Sequence, residues 1–129
     1  MKIPEELKYQ ESDEWVKVDG NQATLGISDY AQDQLSDIVF VEFDFEADDD
    51  VEAGEIIATI ESVKAAGDVI SPVSGKVIEV NEKLTEEPEI LNKDPYGDGW
   101  MYKIEMSDSS ETEKLMSAKE YEKYISERD

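Results

Sequence analysis

"ESVKAAGDVISPVSG", residues 61–75, decides how this chain is read. It sets one lysine, Lys64, among small and β-branched residues. A strand-like run lies on each side, "EIIATIESV" (55–63) before it and "GDVISPVSGKVIEV" (67–80) after it. β-Branched residues favour extended backbone, so the stretch predicts a stiff hairpin with Lys64 at its turn. Pro72 and Gly75 cut the second run into short pieces, consistent with a bend at the corner of a barrel or sandwich. The ordinary role of a turn lysine is a solvated surface charge. The sharper reading is a handle to be acylated. A catalytic lysine is desolvated or crowded by cations, whereas Glu61 and Asp68 lie close by in sequence. A modifying enzyme that brings its own activation needs only access to the amine.

Strand-like runs dominate outward from this point. "EWVKV" (14–18) and "ATLGI" (23–27) flank "DGN", a hairpin turn signal. "SDYAQDQLSD" (28–37) predicts a short helix capped by Ser28, with Asp29 near its positive end. "IVFVEFDF" (38–45) is the most hydrophobic strand candidate, and "EADDDVEAGE" (46–55) reads as an exposed acidic loop. "PEILNKDPYGDGW" (88–100) reads as a loop with one brief helical turn at most, and "WMYKIEM" (100–106) as a further strand. "SSETEKLM" and "SAKEYEKYISE" are helical by pattern; Ser117 and Glu120 form a capping box. Leu115, Met116, Tyr121, Tyr124 and Ile125 give that tail an apolar stripe. "VEAGEIIATI" (51–60) and "VSGKVIEV" (73–80) echo each other, through two similar halves or through chance. The expectation is one mostly β domain over residues 1–129, with short helices near residue 30 and at the C-terminus.

Composition narrows the chemistry. The chain has 129 residues, 39% of them hydrophobic, enough for one core. It has no cysteine and no histidine, which removes disulfides, thiolate sites and Ser-His catalysis. The formal net charge is −22, with one arginine, Arg128, and scattered lysines. Nucleic acid and anionic membrane are therefore poor partners. The acidity serves solubility or steers the chain toward basic docking faces. No apolar run approaches the ~20 residues of a membrane span, and the first residues lack a secretory pattern; a cytoplasmic setting is expected. "DFEADDDVEAGE" (44–55) lacks the glycine an EF-hand loop needs at its sixth position, where Asp49 stands. With 34 acids in the chain, a carboxylate pair by itself carries no glycosidase signal. No metal site is expected.

The lysine segment resembles the lipoyl-attachment segment of the glycine cleavage system H protein family. The likeness extends through "SDEWVKV" (12–18), "GISDYAQDQLSDIVFVE" (26–42), "EVNEKLTEEPEILNKDPYGDGWMYKI" (79–104) and the acidic helical tail, so it covers essentially the whole chain. The resemblance implies a lipoyl/biotinyl-type barrel-sandwich hybrid and a non-catalytic carrier, with lipoate joined to Lys64 through an amide. Glu61 and Gly75 match positions read by lipoate-attaching enzymes in that family. Ser12, Glu14 and Asp68 match the polar lining of a cleft that shelters an aminomethyl group. The implied partners are a glycine decarboxylase, an aminomethyltransferase, a dihydrolipoyl dehydrogenase and a lipoate-attaching enzyme. This chain departs from the family pattern at three places. Asp13 stands where a histidine is usual, Ser36 where a glycine is common, and "FDFEADDD" (43–50) replaces a Leu-Pro stretch.

The rival readings are a biotin carrier, a lipoate relay or store, and an acidic interaction module. Biotin carriers usually flank their lysine with methionines, whereas Val63 and Ala65 flank Lys64.

Overall fold

The structure is a computed structural model that describes residues 1–128. Its strands are β1 (Lys8–Tyr9), β2 (Glu14–Asp19), β3 (Gln22–Ile27), β4 (Ile38–Phe43), β5 (Asp50–Val51), β6 (Ile56–Ser62), β7 (Ala66–Ile70), β8 (Gly75–Val80) and β9 (Tyr102–Met106). The helices are α1 (Asp29–Leu35), α2 (Lys83–Glu86), α3 (Ile90–Lys93) and α4 (Ala118–Arg128), with a 3₁₀ segment at Ser109–Lys114. Two antiparallel sheets form, one ordered β1-β2-β3-β9-β8-β5 and the other β4-β6-β7.

Alternation decides which faces meet. Along β9, Tyr102, Ile104 and Met106 point inward while Lys103 and Glu105 lie toward solvent. They pack with Val16, Leu25, Ile57, Ile60, Val69 and Val77 between the sheets. Each large side chain buried there contributes roughly 1.5–3 kcal/mol of transfer free energy. The Tyr102 hydroxyl donates to the Ile57 carbonyl and so spends its one polar group on the facing sheet. The chain changes sheets between β7 and β8, at the Pro72–Gly75 break expected from the sequence. The two echoing segments place their strands, β6 and β8, in different sheets.

A second apolar cluster lies outside the sandwich. Leu7, Tyr9, Trp15 and Tyr30 pack against Ala118, Tyr121 and Ile125 of α4. Tyr9 and Tyr121 stack with ring centroids 4.6 Å apart. The capping box forms as expected: the Ser117 N–H donates to Glu120 at 2.8 Å, and the Glu120 N–H donates to the Ser117 hydroxyl at 3.2 Å. Ser28 likewise caps α1, accepting from the Ala31 N–H.

Three details differ from the sequence expectation. The acidic stretch 46–55 contains the short strand β5, which pairs with β8 and closes one edge of the larger sheet. α2 precedes the single helical turn expected after residue 88, and its buried Leu84 anchors it to the core. The first residues add β1, which pairs with β2 and bridges to Met116. Two-residue strands such as β1 and β5 are too short to show periodicity, so only pairing reveals them.

The three departures from the family pattern share one backbone property. Among the described residues, the non-glycine positions with positive φ are Asp13 (80°), Ser36 (66°) and Asp48 (78°), one at each departure. Ser36 ends α1 with ψ −149°, a combination essentially reserved for glycine. Asn92 of α3 holds it there. Its amide nitrogen donates to the Ser36 carbonyl at 2.8 Å, and its oxygen accepts from the Ile38 N–H at 2.9 Å. Replacing Ser36 by glycine should therefore stabilise the fold by about 1 kcal/mol. A higher urea midpoint at unchanged m-value would show it; an unchanged or lower midpoint would mean that Ser36 carries no strain.

Candidate functional site

Lys64 stands at the tip of the β6–β7 hairpin, exposed, in the turn Val63–Lys64–Ala65. Among the described residues it has no ion-pair partner. Ser62 builds the turn. Its hydroxyl accepts from the N–H groups of Lys64 (3.2 Å) and Ala65 (3.0 Å) and donates to the Ala65 carbonyl at 3.0 Å. The backbone closes it again with Ser62 N–H to Ala65 O at 2.8 Å. The Val63 N–H reaches the Asp37 carbonyl at 3.1 Å, so the tip also leans on the corner that Asn92 braces. An amine on so well-determined a turn is presented outward with little conformational freedom below it. Ser62 was not singled out in the sequence; a hydroxyl two residues before a turn residue is a common local motif, and only the fold shows it in use.

Glu61 lies on β6 opposite Phe40 and Ala66, exposed and near the tip. Gly75 is elsewhere: it sits buried in the larger sheet, opposite Val51 on one side and Met106 on the other. A Cβ on it would meet the Glu105 carbonyl oxygen at 2.0 Å. Close approach of β8 to β9 is therefore a sufficient reason for glycine at this position.

Ser12, Glu14 and Asp68 come together. They line a cleft of about 270 Å³ between the two sheets, with Asp13, Tyr30 and Arg128. Gly67, the lining residue nearest to Lys64 in sequence, lies near the start of β7 just past the hairpin tip. Glu14 is 1% exposed yet fully partnered. One carboxylate oxygen accepts from the Gln10 amide at 2.8 Å and from the Ser12 hydroxyl at 2.5 Å. The other accepts from the Ile70 N–H at 2.9 Å. Burial pushes the carboxyl up to about 7, outweighing the hydrogen bonds that favour its charged form. The cleft thus pairs a buried acid near its midpoint at neutral pH with a more exposed one, Asp68. Arg128 adds a positive charge to the same lining.

At the rim, Arg128 donates to Asp13 Oδ1 at 2.6 Å, and the Tyr121 hydroxyl donates to the same oxygen at 2.9 Å. Neither Gln10 nor Arg128 was placed at a site from the sequence. Their only signals were a glutamine four residues before the acid and the uniqueness of the arginine. No cluster of three or more potential metal ligands occurs among the described residues, and none of their helices is long and apolar enough to cross a membrane.

Two facing sheets joined by a sharp corner, with a lysine on a protruding hairpin, define a barrel-sandwich hybrid of the lipoyl/biotinyl type. A crystal structure of a glycine cleavage system H protein from Mycobacterium marinum superposes with a TM-score of 0.84 at 31% identity, covering 98% of each chain. Residues 7–128 match the family described as glycine cleavage H-protein, and the chain belongs to that family. Glycine cleavage system H proteins from Coprothermobacter proteolyticus and Carboxydothermus hydrogenoformans are similar to it. The first is 55% identical, covering 98% of this chain and 100% of the relative. The second is 50% identical, covering 97% and 95%.

Two outcomes follow from this geometry. Glu14 is protonated more readily folded than unfolded, so its contribution to stability is complete below about pH 4.5 and is lost as pH rises through about 7. The stability of the native chain relative to Glu14→Gln should fall across that window, measured by thermal melting at each pH; a difference flat in pH would contradict it. Gly75→Ala should cost more than about 2 kcal/mol in urea unfolding. A near-neutral result there would mean that the approach of β8 to β9 does not require glycine.

Proposed function

We propose that this chain is the lipoyl-bearing carrier of a glycine cleavage system, with lipoate held in amide linkage on Lys64 and residues 1–129 acting as one carrier domain. The observation that carries the proposal is the display of Lys64 on an exposed, internally bonded turn in a fold shared with that family over nearly its full length. The residues fit the group. The amine is accessible, and the nearby cleft combines apolar Ile27, Ile60 and Val69 with the acids Glu14 and Asp68.

Lipoate supplies a redox-active pair of sulfurs. The chain supplies reach, shelter and charge. Glycine decarboxylase would load an aminomethyl group with release of the carboxyl as carbon dioxide, the aminomethyltransferase would pass its carbon to tetrahydrofolate and release ammonia, and dihydrolipoyl dehydrogenase would restore the disulfide by passing two electrons to NAD. The cargo carries an amine, and Glu14 and Asp68 are placed to balance its positive charge while the cleft walls limit water. A tether on one protein keeps the cargo at high effective concentration for each partner in turn. The reading is of a division of labour in which this chain carries the cargo and the partners do the chemistry. Glu61, beside the tip, is the residue best placed for direct contact with the lipoate-attaching enzyme. The proposal includes the cytoplasmic setting expected from the sequence.

Intact mass of the protein from its native source should show one lipoyl group, and Lys64→Arg should abolish it with the melting transition preserved. A biotin adduct, or an unmodified chain under lipoate-replete growth, would overturn the proposal. A lipoylated chain inactive in glycine cleavage with the three partners would instead identify a lipoate relay.

A further inference from the structure

Asp13 holds a backbone conformation that costs free energy, directly beside the acid that lines the cleft. Its φ is +80°, in the left-handed region, and Glu14 follows it. Aspartate usually tolerates that region by bonding its side chain to its own local backbone. Here Oδ1 is engaged far away in sequence, by Tyr121 and by Arg128, which lie 108 and 115 residues on. Those partners are themselves fixed. The Arg128 guanidinium lies between two aromatic rings, 5.0 Å from the centroid of Tyr30 and 5.2 Å from that of Tyr124. The Ser28 hydroxyl lies 2.7 Å from the Tyr121 hydroxyl, and the Ser28 N–H donates to the Asp13 carbonyl at 2.9 Å. The turn that Asp13 occupies is closed by Asp13 N–H to Gln10 O and Gln10 N–H to Glu14 O, both 2.9 Å. It therefore sets where Gln10, Ser12 and Glu14 stand relative to one another.

We infer that Arg128, the chain's one arginine, is a positioning residue for the cleft: by holding the Asp13 side chain it keeps the Gln10–Glu14 turn in its left-handed form and the Glu14 carboxyl buried between its donors. The inference rests on the carrier reading for the importance of the cleft, but not for its own test. Arg128 also lines the cleft mouth, where the charged groups around Glu14 are Asp13, Asp68 and Arg128 itself. Two effects of removing Arg128 are thus opposed. Loss of a nearby positive charge would raise the titration midpoint of Glu14. Loss of the turn would hydrate the carboxyl and lower it.

The experiment is the side-chain carboxyl titration of Glu14, followed by carbon-13 NMR on the full unlipoylated chain and assigned with Glu14→Gln. Arg128→Gln should lower the midpoint by about one unit or more, toward an ordinary glutamate, and Arg128→Lys should recover part of it. Asp13→Ala should behave like Arg128→Gln. Asp13→Gly should stay near the native midpoint, because glycine adopts the left-handed turn without help. A raised or unchanged midpoint in Arg128→Gln overturns the inference, as does an Asp13→Gly variant that shifts as far as Asp13→Ala. Should Arg128→Gln fail to fold, the Asp13→Gly and Asp13→Ala pair decides alone. The sample carries no lipoate, so failure here leaves the carrier proposal standing, and an unmodified Lys64 in the native source leaves this one standing.

Discussion

The buried carboxylate of Glu14 ties the two sheets together where they would otherwise part. Glu14 belongs to β2 in the six-stranded sheet, and Ile70, whose N–H it accepts, belongs to β7 in the three-stranded one. The Gln10 amide completes the link by donating to the Ile70 carbonyl at 3.1 Å. A buried charge is tolerated only when its lone pairs are satisfied, and each of these donors is held by its own backbone context. The same stitch fixes the base of the hairpin that ends at Lys64. One polar arrangement therefore serves both the closure of the sandwich and the placement of the cleft beside the displayed amine.

The hairpin and the cleft are built from different kinds of information. The hairpin is local: β-branched runs, a serine that wraps its hydroxyl around the turn, and a lysine at the apex. The cleft is assembled from β2, β3, β6, β7, α1 and the last turn of α4, segments that meet only after the sheets have paired. The consequence is a division of tolerance. Changes around the tip act on presentation of the amine. Changes as remote as Asn92 or Arg128 act on the shape of the surroundings.

This difference explains what could be read in advance. Lys64 at a turn, the 19–22 hairpin, the caps at Ser28 and Ser117 and the break at Pro72–Gly75 all follow from neighbours in sequence. Ser12, Glu14 and Asp68 came only from likeness to a family, because nothing local says that residues 12–14 and 68 face each other. β1 and β5 were invisible because pairing, not propensity, makes a two-residue strand. For Gly75 the sequence offers a bend glycine and, through the family likeness, a recognition mark. Its backbone lies against that of β9, a contact no local pattern reveals. The uses of Gln10 and Arg128 were hidden because each serves a partner whose strain or burial appears only in three dimensions.

β7 is an edge strand, with β6 on one side and, among the described residues, no strand on the other. An open edge beside a protruding lysine invites pairing with the same edge of another molecule, the usual route to aggregation. The strand resists this through its brevity, through Gly67, and through the exposed carboxylate of Asp68 midway along it. Two such edges brought together would oppose like charges on chains that already repel one another. A carrier that, as proposed, offers this hairpin to partner enzymes can thus be present in abundance without sticking to itself.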